Sequence, residues 1–227
     1  MSAFNIGFVI FPDLTQLDFT GPLQVLARMP QSSNFVIAKS PAPVPSDCGL
    51  SLVPTRTFAN CPPLDLICVP GGVKGVIGAI GDHETVDFVR RQAAGAKYVT
   101  AVCTGAFVLG AAGLLKGRRV TTHWAYTELL PLVGAKYEKG RVVRDGNLIT
   151  AGGVTAGIDF GLSVVAEIAG ETVARTIQLG IEYDPAPPFD SGHPDSAPES
   201  IKAALSERYG KARSALRDRI TQSVMAS

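Results

Sequence analysis

Cys103 stands at the end of the apolar run Tyr98-Val99-Thr100-Ala101-Val102 and is followed by Thr104, Gly105 and Ala106. A reactive residue between a strand and a helix opened by small residues has the layout of a nucleophile elbow. Such a turn strains the backbone of the nucleophile, and Gly105 and Ala106 give it the room it needs. Unpaired N–H groups and the helix dipole predict a stabilised thiolate, its pKa lowered from about 8.5 into a range of about 3.5–7.5. The competing reading is a buried, inert cysteine that fills the core. That inert reading is the expected one for Cys68, inside a continuous apolar strand, and for Cys48 and Cys61 in loops.

A thiol nucleophile needs a proton partner. Asp18 follows the first strand, and Gly21-Pro22 just beyond it lets the first helix approach closely enough for a carboxyl to reach the thiol. A helix-capping aspartate is the alternative. His123, in Thr121-Thr122-His123-Trp124, is a further candidate base, with a local capping role before a helix from Ala125 as its alternative. An anion developing beside Cys103 can be met by the backbone N–H groups of Gly72 and Thr104. Gly72 also fits as a plain turn glycine, and the Thr104 hydroxyl either faces water and substrate or caps its helix.

The elements that carry these residues can be read from periodicity. Residues 4–11 read as a buried strand, 18–28 as a helix, 34–39 as a second strand, and 41–51 as a Pro/Ser-rich excursion. Residues 64–69 form a strand ended by Pro70-Gly71-Gly72; a helix over 84–94, a strand over 97–102 and a helix over 104–112 follow. Short strands are expected at 118–121, 142–144 and 147–150, the last two joined across Asp145-Gly146 as a hairpin. Thr155 is placed to cap a helix reaching residue 169, and 171–181 form another. Strands alternating with helices imply an α/β fold with a doubly wound, mostly parallel sheet and a small antiparallel addition. Ligands bind such sheets at the carboxyl ends of the strands. That singles out the Gly71-Gly72 turn, the Cys103 junction and the Gly152-Gly153-Val154-Thr155 turn.

Residues 1–183 therefore read as one domain. Residues 184–198 hold five prolines and no apolar period, which predicts an extended linker. In residues 199–227, Ile201, Leu205, Tyr209, Ala212, Leu216 and Ile220 share one helical face, to be buried on the same domain or on a second subunit.

Twenty-one basic and 20 acidic residues, without a run of like charge, argue against a nucleic-acid or membrane partner. The apolar stretch at 106–115 is about half the roughly 20 residues that cross a bilayer. No basic leader precedes Pro12-Asp13, so a cytoplasmic protein is expected. Four cysteines without Cys-x-x-Cys spacing fit a reducing compartment, and three histidines make a histidine-rich metal site improbable.

The ordered motifs Asp18-Phe19-Thr20-Gly21-Pro22, Pro70-Gly71-Gly72, Ala101-Val102-Cys103-Thr104-Gly105-Ala106, Thr122-His123-Trp124 and Ala151-Gly152-Gly153-Val154-Thr155 resemble the ThiJ/PfpI superfamily. The resemblance implies a flavodoxin-like fold, a cysteine on an elbow and a homodimer. Many superfamily members carry histidine directly after the cysteine and a glutamate on the first helix, where this chain has Thr104 and Asp18. The Asp-plus-Cys-Thr combination is similar to the isocyanide hydratases, which convert an isocyanide and water to an N-substituted formamide without metal or organic cofactor. What this implies is Cys103 as nucleophile, Asp18 as acid and base, Thr104 as a positioning group, and a pocket bordered by Gly71 and by Gly152, Gly153, Val154 and Thr155. Amidotransferase-like sensor domains of AraC-type regulators share much of the pattern. Those continue into a helix-turn-helix domain, for which the roughly 45 residues after 182 are too few. A free-standing ligand sensor and another cysteine-dependent hydrolase remain the alternatives.

Overall fold

The computed structural model describes residues 3–225. In chain order the elements begin with β1 (Phe4–Val9), α1 (Gln16–Leu26), β2 (Ser32–Ala38), the short pair β3 (Val44–Pro45) and β4 (Ser51–Leu52), then β5 (Arg56–Thr57) and β6 (Leu66–Val69). Next come α2 (Val73–Gly81), α3 (His83–Gly95), β7 (Tyr98–Val102), a 3₁₀ turn at Cys103–Gly105 and α4 (Ala106–Ala111). β8 (Arg119–Val120), a 3₁₀ stretch at Trp124–Val133 and β9 (Lys136–Tyr137) lead to β10 (Val142–Asp145) and β11 (Leu148–Ala151). The chain continues through α5 (Ala156–Ala169), α6 (Glu171–Gly180) and α7 (Glu199–Met225).

The seven-stranded sheet has the order β10-β11-β7-β6-β1-β2-β5. Every pairing is parallel except β10 with β11, which close the hairpin across Gly146. This is the doubly wound, flavodoxin-like arrangement, with the antiparallel addition confined to one edge. Its central strands are buried on both faces: all of Leu66–Val69 is buried, and Ile6, Phe8 and Val9 are fully so. Continuous apolar runs of this kind are what a parallel sheet covered by helices requires. Strand order reverses between β1 and β6, which places the ends of β1, β6 and β7 side by side at the edge where ligands bind.

Three expectations change. α2 was not expected: no element was assigned to Val73–Gly81, whose three glycines weaken its helix propensity, and packing against α4 and α7 outweighs that weakness. β8 does not join the main sheet but pairs with β9 in a separate ribbon. The Pro/Ser-rich excursion contains a small antiparallel pair, Val44 with Leu52 and Pro45 with Ser51. No helix among the described residues is long and apolar enough to cross a membrane.

α7 lies on α2 and on the Trp124–Val133 stretch of its own chain. Burial along its apolar stripe is graded: Leu216 and Ile220 are buried, Tyr209 is half-buried, and Ile201 is 52% exposed. The anchoring is thus in the C-terminal half. Leu216→Ala is expected to destabilise the fold by about 2–5 kcal/mol, as a fully buried leucine does. Ile201→Ala stays within about 0.5 kcal/mol of the parent. Urea unfolding measures both, and equal losses would contradict this anchoring.

Candidate active site

Asp18, Gly71, Thr104 and Cys103 come from three different elements and meet at the carboxyl edge of the sheet. Asp18 lies in the first turn of α1 and is fully buried. It does not cap that helix: Thr15 occupies the N-cap, and Asp18 Oδ2 accepts from the backbone N–H of Gly71 at 3.0 Å. The other oxygen, Oδ1, is buried with no donor in proper hydrogen-bond geometry. The Cys103 thiol nevertheless acts on the carboxyl, and the two groups shift each other's acidity. Burial pushes the Asp18 pKa from its ordinary 3.8 up to about 7, against the lowering effects of Cys103 and the Gly71 N–H.

Gly71 has to be a glycine. A Cβ there would stand 2.6 Å from the Thr104 nitrogen and 2.8 Å from Asp18 Oδ2, so a side chain would break the contact between turn and carboxyl. Gly72 differs from its expected role. Its N–H donates to the Thr104 hydroxyl at 3.1 Å, so it is already committed and does not face an anion at the sulfur. The same bond shows that the Thr104 hydroxyl ties the β6 turn to the elbow; it does not cap its helix.

Cys103 has φ of 57°, the strained conformation that an elbow imposes on a residue with a side chain. Its N–H donates to the Gly152 carbonyl at 3.0 Å, and its own carbonyl accepts from the Thr122 hydroxyl at 2.7 Å. The backbone N–H groups of Thr104 and Val154 act on the sulfur and favour its charged form. Val154 is itself strained, a β-branched residue at φ 36°. Val154, which was expected only to border the pocket, thus acts on the sulfur beside Thr104, whereas the Gly72 N–H is taken up by the Thr104 hydroxyl. Glycine-rich spacing suggested where this turn lies but not which N–H it aims.

The expected thiolate is also corrected. Burial and the adjacent Asp18 charge push the Cys103 pKa well above its ordinary 9.0, outweighing the Thr104 and Val154 N–H groups. A short helix start cannot offset a buried carboxylate beside the sulfur. At neutral pH the sulfur keeps its proton and Asp18 is the group that titrates.

The remaining candidates are placed as follows. Gly152 holds the elbow through its carbonyl, and Gly153 packs against His123. Thr155 is exposed, and its hydroxyl accepts from Arg141 at 3.1 Å; it makes no side-chain cap for α5. Arg141 also binds Asp159, which accepts from Tyr183 as well, a clamp on the start of α5 that sequence reading missed. His123 Nδ1 accepts from the Ala125 N–H at 3.2 Å, the local capping role. Burial lowers its pKa to about 4, which leaves it neutral and a poor base. Thr122 was passed over because a threonine beside a histidine carries no spacing signal of its own.

A family model for the DJ-1/PfpI family matches residues 5–167 of this chain. The chain belongs to the DJ-1/PfpI family. It is 57% identical over 199 residues to an isonitrile hydratase of Pseudomonas putida, covering 88% of this chain and 87% of that protein. A solved ThiJ/PfpI family protein from Pseudomonas syringae superposes with a TM-score of 0.95 at 42% identity, covering 97% of this chain and 91% of the other. Similarity also extends, at 28% identity over 190 residues, to the HTH-type transcriptional regulator GbdR of Pseudomonas aeruginosa, covering 79% of this chain and 51% of the regulator.

The buried carboxyl sets a pH signature for stability. Because folding raises the Asp18 pKa from 3.8 to about 7, the native state holds more protons than the unfolded chain between those values. Stability contributed at this site is therefore lost as pH rises through that window and stays lost above it. Asp18→Asn is expected to be more stable than the parent by ~1 kcal/mol or more at about pH 8, raising Tm by about 2–4 °C. The gain should vanish near about pH 2–3, below both pKa values, where the parent carboxyl is protonated in both states. Thermal scans at the two pH values test this, and a gain independent of pH would contradict the assignment.

Proposed function

We propose that this protein is an isonitrile hydratase, adding water to an isocyanide to give an N-substituted formamide through a thioimidate on Cys103. The observation that carries the reading is the pairing of Cys103 with a buried Asp18 of pKa about 7. The likeness to the Pseudomonas putida isonitrile hydratase over most of both chains supports the choice of substrate. The family likeness supports a homodimer, and the cysteine pattern a reducing, cytoplasmic setting.

The terminal carbon of an isocyanide carries a lone pair and becomes a good electrophile only as it gains a proton. The site must therefore supply an acid and a nucleophile to one atom. Two adjacent anions are disfavoured in a buried site, so above about pH 7 the pair holds one proton, with the thiol protonated and Asp18 ionised. Asp18 takes the thiol proton and delivers it to the isocyanide carbon as the sulfur bonds to that carbon. The result is Cys103–S–CH=N–R, reached with no net change in charge. N–H groups of Thr104 and Val154, which act on the sulfur, steady the thiolate as it forms. Water then adds to the thioimidate carbon, Asp18 taking one water proton and passing it to nitrogen. Collapse of that adduct breaks the C–S bond, the hydroxyl proton returns through Asp18 to sulfur, and R–NH–CHO leaves.

Incubation with an alkyl or aryl isocyanide and quantification of the formamide tests this. Cys103→Ala is expected to abolish turnover, and Asp18→Asn to lose about 10²-fold or more while remaining folded. In the parent enzyme kcat/KM should rise with pH through about 7, as Asp18 ionises, and then level. That limb should be absent in Asp18→Asn. Near-normal formamide production by folded Cys103→Ala would remove the covalent route, and an unchanged pH limb in Asp18→Asn would assign the titration to another group.

A further inference from the structure

The hydration mechanism uses the sulfur, the carboxyl and backbone donors, and leaves unexplained a group of aromatic rings beside them. His123 is the hub: its ring centroid lies 5.7 Å from Trp124, 5.6 Å from Tyr126 and 5.8 Å from Tyr209, the last edge-on. Tyr209 also faces Trp124 at 6.2 Å and Tyr126 at 6.0 Å. These separations fall in the range in which aromatic rings attract one another through their quadrupoles. Three of the four rings follow one another closely in sequence, but Tyr209 is brought from α7, which is anchored further along by Leu216 and Ile220.

We propose that Tyr209, together with His123, Trp124 and Tyr126, forms an aromatic wall of the substrate pocket that receives the N-substituent of the isocyanide and selects aryl over small alkyl groups. This rests on the isocyanide reading above. The cluster is linked to both sides of the nucleophile through neighbouring residues. Thr122, the residue before His123, holds the Cys103 carbonyl. On the other side the His123 ring packs on Gly153, where a Cβ would lie 2.4 Å from Cδ2. Gly153 precedes Val154, whose N–H acts on the sulfur.

The chemistry of the wall suits an uncharged planar group. His123 is neutral, because burial lowers its pKa to about 4. The Tyr126 pKa is pushed up to about 12 by burial first, then by Tyr209 and Cys103, which keeps the phenol neutral and registers its nearness to the thiol. The charged neighbours are engaged elsewhere: Arg213 reaches the Ala125 carbonyl and Glu128, its charge only partly offsetting the rise at Tyr126, and Arg217 pairs with Glu128. Trp124 and Tyr209 are only half-buried, so each retains surface for a ligand to cover. The substituent of an isocyanide begins two bonds beyond the terminal carbon that the sulfur attacks. A substituent so placed needs a wall at a distance from the nucleophile, and rings offer a planar one.

The test compares phenyl and methyl isocyanide as substrates of the full chain, and N-phenylformamide and N-methylformamide as ligands. Trp124 is the single tryptophan, so its fluorescence reports ligand binding without turnover. Tyr209→Leu keeps apolar packing and removes the ring; Tyr209→Phe keeps the ring. The ratio of kcat/KM for phenyl over methyl isocyanide is expected to fall about tenfold in Tyr209→Leu, the scale of a lost contact in a specificity pocket, and to stay within about twofold of the parent in Tyr209→Phe. An unchanged ratio in Tyr209→Leu overturns the proposal. Parent protein that forms no formamide from either isocyanide overturns the hydratase reading instead. The wall is then judged by the parent's fluorescence titration alone, where tighter binding of N-phenylformamide supports it and equal Kd values for the two formamides overturn it.

Discussion

Asp18 and Cys103 meet in a buried site, where an adjacent carboxylate and thiolate are strongly disfavoured together. The resulting competition for one proton governs the local structure. Gly71 must be bare so that its N–H can reach Oδ2. Thr104 must tie the β6 turn to the elbow, and Gly152 and Thr122 must pin the cysteine backbone from either side. Each of these bonds is short-range, yet each joins segments far apart in sequence. The parallel sheet makes that possible, because it delivers the ends of β1, β6 and β7 to one edge.

The site is held at a cost. Cys103 and Val154 both sit at positive φ, and Asp18 Oδ1 lacks a donor. Such features persist only where surrounding packing over-determines them. Here the backbone of Cys103 is fixed by Gly152 and Thr122, and the strand that leads into it is buried. A donor on Oδ1 would stabilise the carboxylate and draw its pKa back toward 3.8, away from the range in which it can shuttle protons at neutral pH. Burial, only partly offset by Cys103 and the Gly71 N–H, is thus what makes this aspartate a useful acid and base.

Much of this was legible in the sequence for identifiable reasons. The doubly wound sheet followed from apolar runs punctuated by glycine, and the elbow from a cysteine set between a strand and small helix-opening residues. Asp18 was recognisable because it follows the first strand with Gly21-Pro22 beside it. The direction of the Cys103 shift was not, since a helix start argues for a thiolate and it is burial of the sulfur, joined by the Asp18 charge, that reverses the sign. That the Val154 N–H and not that of Gly72 acts on the sulfur was hidden for a similar reason. Lacking a Cβ says that a backbone can approach, but not where its N–H points. α2 was hidden by glycines whose low helix propensity is overridden by tertiary packing. The apolar stripe of α7 could not reveal that Tyr209 would meet the rings around His123.

The location of the shared proton is accessible to ultraviolet titration of the thiolate, taken as the difference between the parent protein and Cys103→Ala so that Cys48, Cys61 and Cys68 cancel. With the Cys103 pKa raised well above 9.0, the difference should show no thiolate at neutral pH and none as Asp18 ionises near about 7. A thiolate signal from Cys103 that is already present at or below about pH 7 would place the proton on Asp18 and contradict this account.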